Sequence, residues 1–512
     1  MNAKTSWRWR LLRWGLISLA GIITLAAVLI TEENWRGKRA WENYKHAAEA
    51  RGERFDWSAF APTNPVPDDQ NFIKAPIFSG ATAAEWDDQT LAWKPTTHLV
   101  DRLSMSPYRR DASDVPDQTG ASWERARLTN LKNWQDYYRN SATNGAGEFP
   151  VAAQAQSPAA DVLLALSKYG AAIEELRAAS RRPYAWLGDY SAGDAKEFSS
   201  LLAYLAKFKQ CTQVLNLRAI AELGDNQSAA ALEDVRLLLR LGDALRQEPL
   251  LITHLVSMAI TPYTLLPIYE GLAQHRWTDA QLAELEQALA QRDFLADYQL
   301  AMRGEMVFAT DTLENQRLTR KYETTVAEAG KTKAVTISLR FMPAAFFYQN
   351  ELACARLNEQ FLRPLVEVTN RLVSPAAVRQ ANTAVAAELK HYSPYKIEAG
   401  MSFPAISRAV AKFAFAQVSV DLARVACALE RFRLAHGNYP ETLDLLAPQF
   451  IAQVPHDVIN GQPLHYRRTE AGQFILYSVG WNEQDDGGQT LFNKSGQVDR
   501  EKGDWVWRYP AK

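Results

Sequence analysis

The stretch LYSVGWNEQDDGG, residues 476–488, places oxygen-bearing side chains directly after a β-like run of residues. Asp485 and Asp486 supply two carboxylates and Asn482 an amide oxygen, in a loop that ends in two glycines. Hard cations such as Ca²⁺ take about six to eight oxygen ligands held by a flexible backbone. The residues by themselves leave three interpretations open: a metal site, a catalytic site, or a wide turn between two strands.

Histidines near this loop point to a different chemistry. His456, Asp457 and His465 flank a predicted hairpin, and two imidazoles with a carboxylate can hold a transition metal or exchange protons. Their spacing through a turn matches no metal motif, and the chain contains no GxSxG, HExxH or phosphate-binding loop pattern. An enzyme therefore stands as the alternative: a membrane-anchored hydrolase with its site between a helical domain and this hairpin.

Composition limits the classes of partner. The chain has 512 residues, which predicts two or three packed units, and a net charge of −1. A charge balance so close to neutral gives no electrostatic reason to expect nucleic acid as a partner. Cys211, Cys354 and Cys427 lie far apart and form neither a CxxC pair nor a disulfide framework, so we expect buried, apolar side chains.

One segment has the composition of a membrane span. Residues 14–30, WGLISLAGIITLAAVLI, form a 17-residue run without a charge, close to the lower limit for crossing a bilayer. The run ends in Val-Leu-Ile-Thr, which is a poor cleavage site for a signal peptidase, so an uncleaved signal anchor is predicted. Basic residues precede it, as expected for a tail that stays in the cytoplasm: Lys4, Arg8, Arg10 and Arg13.

Residues 1–31 are therefore predicted to anchor the protein in the inner (cytoplasmic) membrane as a single pass, with the bulk of the chain extracytoplasmic. The positive-inside count is nearly balanced, and an inverted orientation would instead make a cytoplasm-facing regulator. After the span, residues 33–51 predict a polar juxtamembrane helix. The prolines at positions 62, 65, 67 and 76 predict an extended linker over 61–80, completing a segment that covers 32–80.

Residues 81–400 are predicted to form a mainly helical domain. Apolar spacing and helix punctuation indicate helices over 157–180, 196–223, 226–246, 250–274 and 278–303, joined by short links as antiparallel pairs. In the third of these, Leu232, Val235 and Leu238 belong to an apolar stripe, with Asp234 on the opposite, polar face. The polar stretch 304–342 predicts a lid, a hairpin or a mobile excursion, after which helices resume over 343–372 and 375–390.

Residues 401–512 have the pattern of an α+β module. A helix begins near Ser402, places Leu429 and its neighbours at spacings of three and four on one face, leaves Glu430 off that face, and ends at Gly437. The strings PLHYRR and QFILYSVG predict two strands around a TEAG turn, and QTLF predicts a third. The fold class is thus mainly α, with a long C-terminal helix packed on a small antiparallel sheet.

The C-terminal module resembles a known family. CALERFRLAHGNYPETLDLLAPQF, VPHDVINGQPLHYRR, FILYSVGWNEQDDGG and GDWVW are similar, in order and spacing, to the globular part of major pseudopilins of type II secretion systems. The whole chain resembles uncharacterised single-pass bacterial membrane proteins that carry such a module. The resemblance implies a binding or scaffolding role in the cell envelope, beside a secretion or pilus-like machine. Residues 10–30 lack the pilin leader and its glutamate, so a filament subunit is not expected.

The same resemblance implies a calcium site. Asn482 falls where major pseudopilins carry their first loop carboxylate, and Asp504 of GDWVW matches a later one. Asp485 and Asp486 supply the charge that Asn482 lacks. We therefore predict calcium as the cofactor of these four residues. EF-hand spacing does not occur, and a capped loop without metal is the alternative.

Overall fold

The computed structural model describes residues 3–78, 84–87, 92–95, 105–109, 116, 121–143, 148–186, 195–328, 331–390 and 393–510. This part of the chain is mainly helical, and its strands form small antiparallel sheets. The helices are α1 (Ala3–Glu49), α2 (Leu131–Thr143), α3 (Pro158–Leu166), α4 (Gly170–Ser180), α5 (Ala195–Gly224), α6 (Ser228–Arg246), α7 (Leu251–Ala273), α8 (Asp279–Ala290), α9 (Phe294–Thr319), α10 (Ala344–Leu357), α11 (Pro375–Leu389), α12 (Ile397–Ser407) and α13 (Ala409–His436). The strands are β1 (Ala84–Asp87), β2 (Ala92–Pro95), β3 (Lys321–Glu328), β4 (Lys331–Ser338), β5 (Val366–Glu367), β6 (Leu372–Val373), β7 (His465–Arg468), β8 (Phe474–Ser478), β9 (Thr490–Phe492), β10 (Val498–Gly503) and β11 (Trp505–Arg508).

The N-terminal helix is the longest element. It has 47 residues, which at about 1.5 Å per residue gives a rod of about 70 Å. The large apolar side chains of residues 14–30 are exposed. Within the part of the chain that the structure describes, two helical segments are long and apolar enough to cross a membrane. One lies within Trp9–Glu49, and its apolar stretch is unburied; the other is Leu251–Ala273, and half of its apolar stretch is buried. The first is compatible with a transmembrane or signal anchor, and the second is α7 of the helical bundle.

The C-terminal half of α1 packs on the rest of the protein. Trp41 and Ala48 are buried in a cluster shared with α9 and α10. Gly37 permits this close packing, because a Cβ at that position would lie 3.3 Å from the Ala345 Cα. The juxtamembrane helix predicted at 33–51 is thus a direct continuation of the apolar helix, and it is attached to α10.

The proline-rich segment is packed rather than extended over much of its length. Short 3-10 turns occupy parts of residues 57–78. Phe72, Ile73, Ile77 and Phe78 are all buried, and the Arg240 guanidinium lies 5.0 Å from the Phe72 ring. The prolines do break regular helix here, but the apolar residues between them fill the core beside α5 and α6.

Helices α5, α6 and α7 follow one another through short connections at 225–227 and 247–250 and pack as neighbours. The predicted apolar stripe of α6 is buried. The prediction for Asp234 was wrong, because its side chain is fully buried, 3.0 Å from the Arg177 guanidinium and 3.3 Å from that of Arg218. Asp234 precedes Leu238 by four residues and so lies beside the stripe, on a side of the helix that α4 and α5 cover with arginines.

The helix predicted over 278–303 is two helices. Thr278 caps α8 through a reciprocal capping box with Gln281, as the start signal indicates. The helix then breaks, and the Asp293 carboxylate caps α9 by accepting hydrogen bonds from two backbone N–H groups. The polar stretch 304–342 was predicted to form a lid, a hairpin or a mobile excursion. Beyond the end of α9 it contains the β3–β4 hairpin, so the hairpin prediction is confirmed.

Helix α13 lies in the main core. It packs on α7, α8 and α9 as well as on β8 and β11, so one apolar core continues from the helical bundle into the C-terminal sheet. The predicted face is confirmed, since Leu422, Val425 and Leu429 are buried. Gly437 ends the helix with a φ of +84°, a left-handed conformation that glycine adopts at low cost.

Glu430, placed off the buried face by periodicity, is also buried. Its carboxylate accepts hydrogen bonds from Arg433 and from the Tyr439 hydroxyl, and one oxygen lies 2.7 Å from the His275 ring nitrogen. Burial acts to raise the pKa of Glu430, but these hydrogen bonds outweigh it and hold the pKa below its ordinary value. The second side of α13 is therefore a polar junction with the segment that follows α7, not a solvated surface.

The C-terminal sheet has the order β11-β8-β7, and both neighbouring pairs are antiparallel. The predicted hairpin of PLHYRR and QFILYSVG is present, with Tyr466 opposite Leu476. QTLF does form a strand, β9, but it pairs with β10 in a separate ribbon. The third strand of the sheet is instead β11, from the GDWVW string.

Candidate functional site

Asp457 fixes the end of β8, where the loop of residues 480–489 begins. One carboxylate oxygen accepts hydrogen bonds from the Ser478 hydroxyl at 2.9 Å and the Ile459 N–H at 3.0 Å. The other accepts from the Val479 N–H at 2.9 Å. Burial raises the pKa of Asp457 above its ordinary value. Its oxygens are engaged with the backbone and with Ser478, so the residue holds the strand end in place.

The two histidines of the alternative, enzymatic interpretation have different neighbours. The His456 ring nitrogen lies 3.1 Å from the Asn370 carbonyl oxygen. His465 stacks on Tyr477 with 4.8 Å between ring centroids, and its Nδ1 lies 3.5 Å from an Asp485 oxygen. Within the described ranges, no group of three or more His, Cys, Asp or Glu side chains is arranged to hold a metal ion.

Three of the four predicted calcium ligands, Asn482, Asp486 and Asp504, are connected by the hydrogen bonds of Asp486. The Asn482 amide donates to an Asp486 carboxylate oxygen at 2.9 Å, and the Asp486 N–H donates to Asp504 at 3.2 Å. Asp485 is directed elsewhere, because it accepts hydrogen bonds from the Tyr477 hydroxyl and the Gly487 N–H. The latter bond is the main reason that the pKa of Asp485 is lowered.

Asp504 organises the second half of the loop. One of its oxygens accepts from the Gly488 N–H at 2.7 Å and the Gln489 N–H at 3.3 Å, and the other from the Asp486 N–H. Burial raises the pKa of Asp504 despite these donors. The four residues thus form hydrogen bonds that shape a wide turn, and calcium binding by this turn remains a prediction.

The loop holds Trp481 against the helical bundle. Gly480, with a φ of +70°, lies so close to the neighbouring chain that a Cβ would come within 2.5 Å of the Gly503 carbonyl oxygen. Two residues beyond Trp481, Glu483 forms an ion pair with Arg379 of α11 at 2.7 Å. These contacts place the indole at the edge of a partly open cavity that is lined by the helices and the C-terminal sheet together.

This cavity has a volume of about 630 Å³ and lies between the helical bundle and the C-terminal module. Its walls come from α7, α11, α13 and the segments around β10 and β11. The volume lies within the range of about 300–1,000 Å³ that is typical of small-molecule sites. We take it as the candidate functional site because aromatic and charged side chains of the helical bundle and the C-terminal module converge on it. Its lining includes Leu255, Met258, Leu265, Val378, Arg379, Ser407, Arg408, Lys412, Phe415, Ser419, Trp481, Arg500, Glu501, Trp505 and Trp123.

An aromatic cluster makes one wall of the cavity. Trp123 stacks on Phe415 with 6.0 Å between ring centroids, and Trp505 meets Phe415 edge-on at 5.2 Å. These three rings are buried, whereas Trp481 is only partly buried at the rim. Packed aromatic rings lose little conformational freedom when a ligand binds, and they offer both apolar area and π-faces.

The charged residues of the lining are mainly cations. Arg500 is paired with Glu124 through two 3.0 Å contacts and lies 3.9 Å above the Phe415 ring, and Arg379 is paired with Glu483. Arg408 and Lys412 form no carboxylate pair with any described residue. Among the described lining residues, Glu501 has the one carboxylate, and Glu501, Arg408 and Lys412 are all exposed. The cavity therefore combines aromatic area with two cations that an anionic group of a ligand can pair with.

Comparison with known proteins identifies no relative: no family model, no curated protein and no solved structure matches this chain.

Sequence reasoning missed most of the cavity residues. Trp123 lies in the segment predicted as part of the mainly helical domain, where no site residue was expected. Phe415 precedes Leu422 by seven residues and so continues the predicted buried face of α13, but spacing alone predicts a core side chain there and not a cavity wall. Trp481 and Trp505 directly adjoin the predicted ligands Asn482 and Asp504 in the sequence. Two tryptophans beside an oxygen-rich turn were the available signal, but only the fold shows that they line the same space.

Proposed function

We propose that the protein is a single-pass, membrane-anchored binding protein of the cell envelope whose ligand occupies the cavity between the helical bundle and the C-terminal sheet. The observation that supports this proposal is the combination, around one open cavity of about 630 Å³, of an aromatic wall and two exposed cations without a carboxylate partner among the described residues. Such a site fits a ligand with an apolar or aromatic body and one anionic group. The aromatic rings supply contact area, and Arg408 and Lys412 supply charge.

The C-terminal module is proposed to be pseudopilin-like and to serve beside a secretion or pilus-like machine, on the extracytoplasmic side of the inner membrane. The packing of α13 against the sheet β11-β8-β7 supports this likeness. A role as a binding or scaffolding protein, not a filament subunit, is supported by the position of α13. A filament helix must be free to pack on other subunits, whereas this helix is buried against α7, α8 and α9.

The alternative, a membrane-anchored hydrolase, places its site in the same region and has less support. The described residues that line the cavity include neither His nor Cys, which are common general bases and nucleophiles. Its hydroxyl groups include Ser407, whose Oγ contacts the Pro404 carbonyl, and Ser419, which donates to the Phe415 carbonyl. Both hydroxyls are directed to their own helix backbone, as in structural serines.

The test uses 8-anilinonaphthalene-1-sulfonate, which carries an aromatic body and one sulfonate, as the probe. The full chain in nanodiscs is titrated by calorimetry, and the signal of empty nanodiscs is subtracted. We expect one saturable site. Lys412→Glu replaces attraction by repulsion and should weaken binding by about tenfold or more, which corresponds to about 1.4 kcal/mol. Lys494→Glu, an exposed lysine on the β9–β10 turn, is the matched control and should leave the affinity unchanged.

Equal affinities for the two variants would contradict a ligand site at the cavity. A fluorescent substrate cleaved by the wild-type protein, with loss of activity in a cavity variant, would instead favour the hydrolase.

A further inference from the structure

The docking of α1 fixes which end of the protein faces the membrane. The Asn34 side chain accepts a hydrogen bond from the Ala345 N–H at 2.7 Å, and the Tyr44 hydroxyl donates to Glu359 at 2.6 Å. Helices α1 and α10 therefore run in the same direction. Asn34 lies four residues beyond Ile30, the end of the apolar run, which is about 6 Å along a helix. The beginning of α10 is consequently next to the end of the predicted span.

Helix α9 brings further residues to the same end. The Asn358 amide donates to the Met302 carbonyl at 2.9 Å, and the Arg317 guanidinium lies 4.8 Å from the Tyr348 ring. These contacts show that α9 runs antiparallel to α10, so the last turn of α9 and the first turn of α10 are neighbours. The base of the β3–β4 hairpin and the turn at 339–342 join these two helix ends.

Large apolar side chains are exposed at this end. Phe341 is 95% exposed, the highest value for any large hydrophobic side chain that the structure describes, and Leu318 is 66% exposed. Ile337 is 47% exposed and Trp35 60%. Arg340, which is also exposed, adjoins Phe341. We call these five residues the membrane-proximal patch.

We infer that the membrane-proximal patch inserts into the interface of the bilayer that α1 spans, as a second membrane contact. Aromatic and apolar side chains with adjacent arginines are typical of segments that lie at the boundary between headgroups and acyl chains. Arg340 can pair there with anionic lipid headgroups. The inference rests on the proposed membrane span. Its consequence is mechanical: two contacts prevent the extracytoplasmic part from rotating freely about α1.

The opposite end of the protein supplies a control position. The Phe294 N–H donates to the Gln417 amide oxygen at 2.8 Å, and the rings of Tyr298 and Phe413 lie 5.3 Å apart. Helix α13 is therefore antiparallel to α9 and runs away from the membrane-proximal end. Leu445, which follows α13 and is 53% exposed, is an apolar surface residue distant from the patch.

The experiment measures membrane depth in the full chain. Phe341→Cys, Leu445→Cys and Leu19→Cys are each labelled with a nitrobenzoxadiazole dye in nanodiscs of phosphatidylcholine and phosphatidylglycerol, and the signal of the unsubstituted chain is subtracted. We expect the label at position 341 to show blue-shifted emission and to be quenched by lipids spin-labelled near the headgroup. The label at 445 should show neither effect. The label at 19 should be quenched by lipids spin-labelled deep in the acyl chain.

The outcomes separate the two claims. Water-like, unquenched emission at position 341 with deep quenching at position 19 would overturn the second contact alone. An unquenched label at position 19 would overturn the membrane span, and with it the premise of the inference. Quenching at 341 and 445 alike would show nonspecific association of the whole surface with lipid and would also overturn the patch.

Discussion

The membrane-proximal patch and the cavity use similar residue types in opposite ways. In the patch, Phe341 projects from a turn and is almost fully exposed. In the cavity, Phe415 is buried between Trp123 and Trp505 and carries Arg500 above its ring. The first arrangement has no defined shape, whereas the second has a fixed one. Exposed apolar groups without a fixed shape suit a fluid surface, and a concave, packed set suits one ligand of defined shape.

The charges follow the same contrast. Arg340 is exposed beside the apolar turn, where no particular partner geometry is imposed. Around the cavity, Arg379 and Arg500 are held by the carboxylates Glu483 and Glu124, which leaves Arg408 and Lys412 for a ligand. Paired arginines of this kind fix the wall. The number of aromatic and basic residues therefore does not distinguish the two surfaces, whereas the packing around those residues does.

The substitution with the largest expected effect on stability tests whether α13, which forms one wall of the cavity, is a core helix. Leu429→Asp on α13 should prevent folding or lower the unfolding free energy by several kcal/mol, because an ionised carboxylate would replace a fully buried leucine. Leu434→Asp, on the same helix but 45% exposed, should change stability by less than about 1 kcal/mol. Thermal unfolding of both variants measures the difference. Equal melting temperatures would mean that α13 is not the core helix of this end.

Glu430→Gln should have the next largest effect. The substitution weakens hydrogen bonds to Arg433, His275 and Tyr439 and should cost about 1.5–3 kcal/mol at pH 7. Because the folded-state pKa of Glu430 is lowered, its stabilising contribution is present above the ordinary pKa of about 4.3 and is lost as the pH falls through the folded value. The gap between wild type and variant should therefore narrow below about pH 4.

Glu441→Gln is the matched control for this pH dependence, since Glu441 is 80% exposed and forms only a surface pair with Arg468. We expect an unfolding free energy within about 0.5 kcal/mol of wild type at pH 7. A gap for Glu430→Gln that stayed constant from pH 7 to pH 3 would show that charge is not the source of its stabilisation.

Trp481→Ala tests whether the side chain at the cavity rim contributes to probe binding. The partly buried indole lines the cavity, so its loss should weaken binding of the anilinonaphthalene sulfonate probe by about tenfold, with a small change in stability. Phe341→Ala, at the membrane-proximal patch, removes an aromatic ring that is more exposed than Trp481 and should leave probe affinity unchanged. If both substitutions weaken binding equally, the probe binds exposed aromatic side chains in general, and the cavity and the membrane-proximal patch do not differ as binding sites.

The smallest expected effect concerns calcium at the loop. If Asn482, Asp485, Asp486 and Asp504 bind the ion, calcium at about fourfold above its dissociation constant should stabilise the full chain by about 1 kcal/mol, with magnesium less effective. The double substitution of Asp485 and Asp486 to Asn should remove the calcium response. An identical melting temperature in calcium and in chelator would show that the loop is a turn formed by hydrogen bonds alone. In that case its role is to position Trp481.

Local pattern was sufficient for much of the fold. The spacing of apolar residues predicted the buried face of α13, the hairpin of β7 and β8, and the start and end of several helices, because these depend on neighbours close in the chain. The uncharged run at 14–30 predicted a membrane anchor, and the long apolar helix found there is compatible with that prediction. The family likeness and the calcium ligands, inferred from short motifs, remain predictions.

The burial of polar helix residues, the pairing of strands and the cavity depend on tertiary contacts, which the spacing of apolar residues does not predict. Asp234 and Glu430 lie where a helical wheel predicts solvent, yet arginines and a histidine distant in the chain cover them. The composition of QTLF predicts a strand, but it does not predict the strand with which QTLF pairs. That strand is β10, because β11 occupies the edge of β8. The cavity joins Trp123 to Trp505 across 382 positions of sequence. Burial, pairing and enclosure are properties of groups that meet only after folding, so the sequence by itself determined the elements and the fold determined the site.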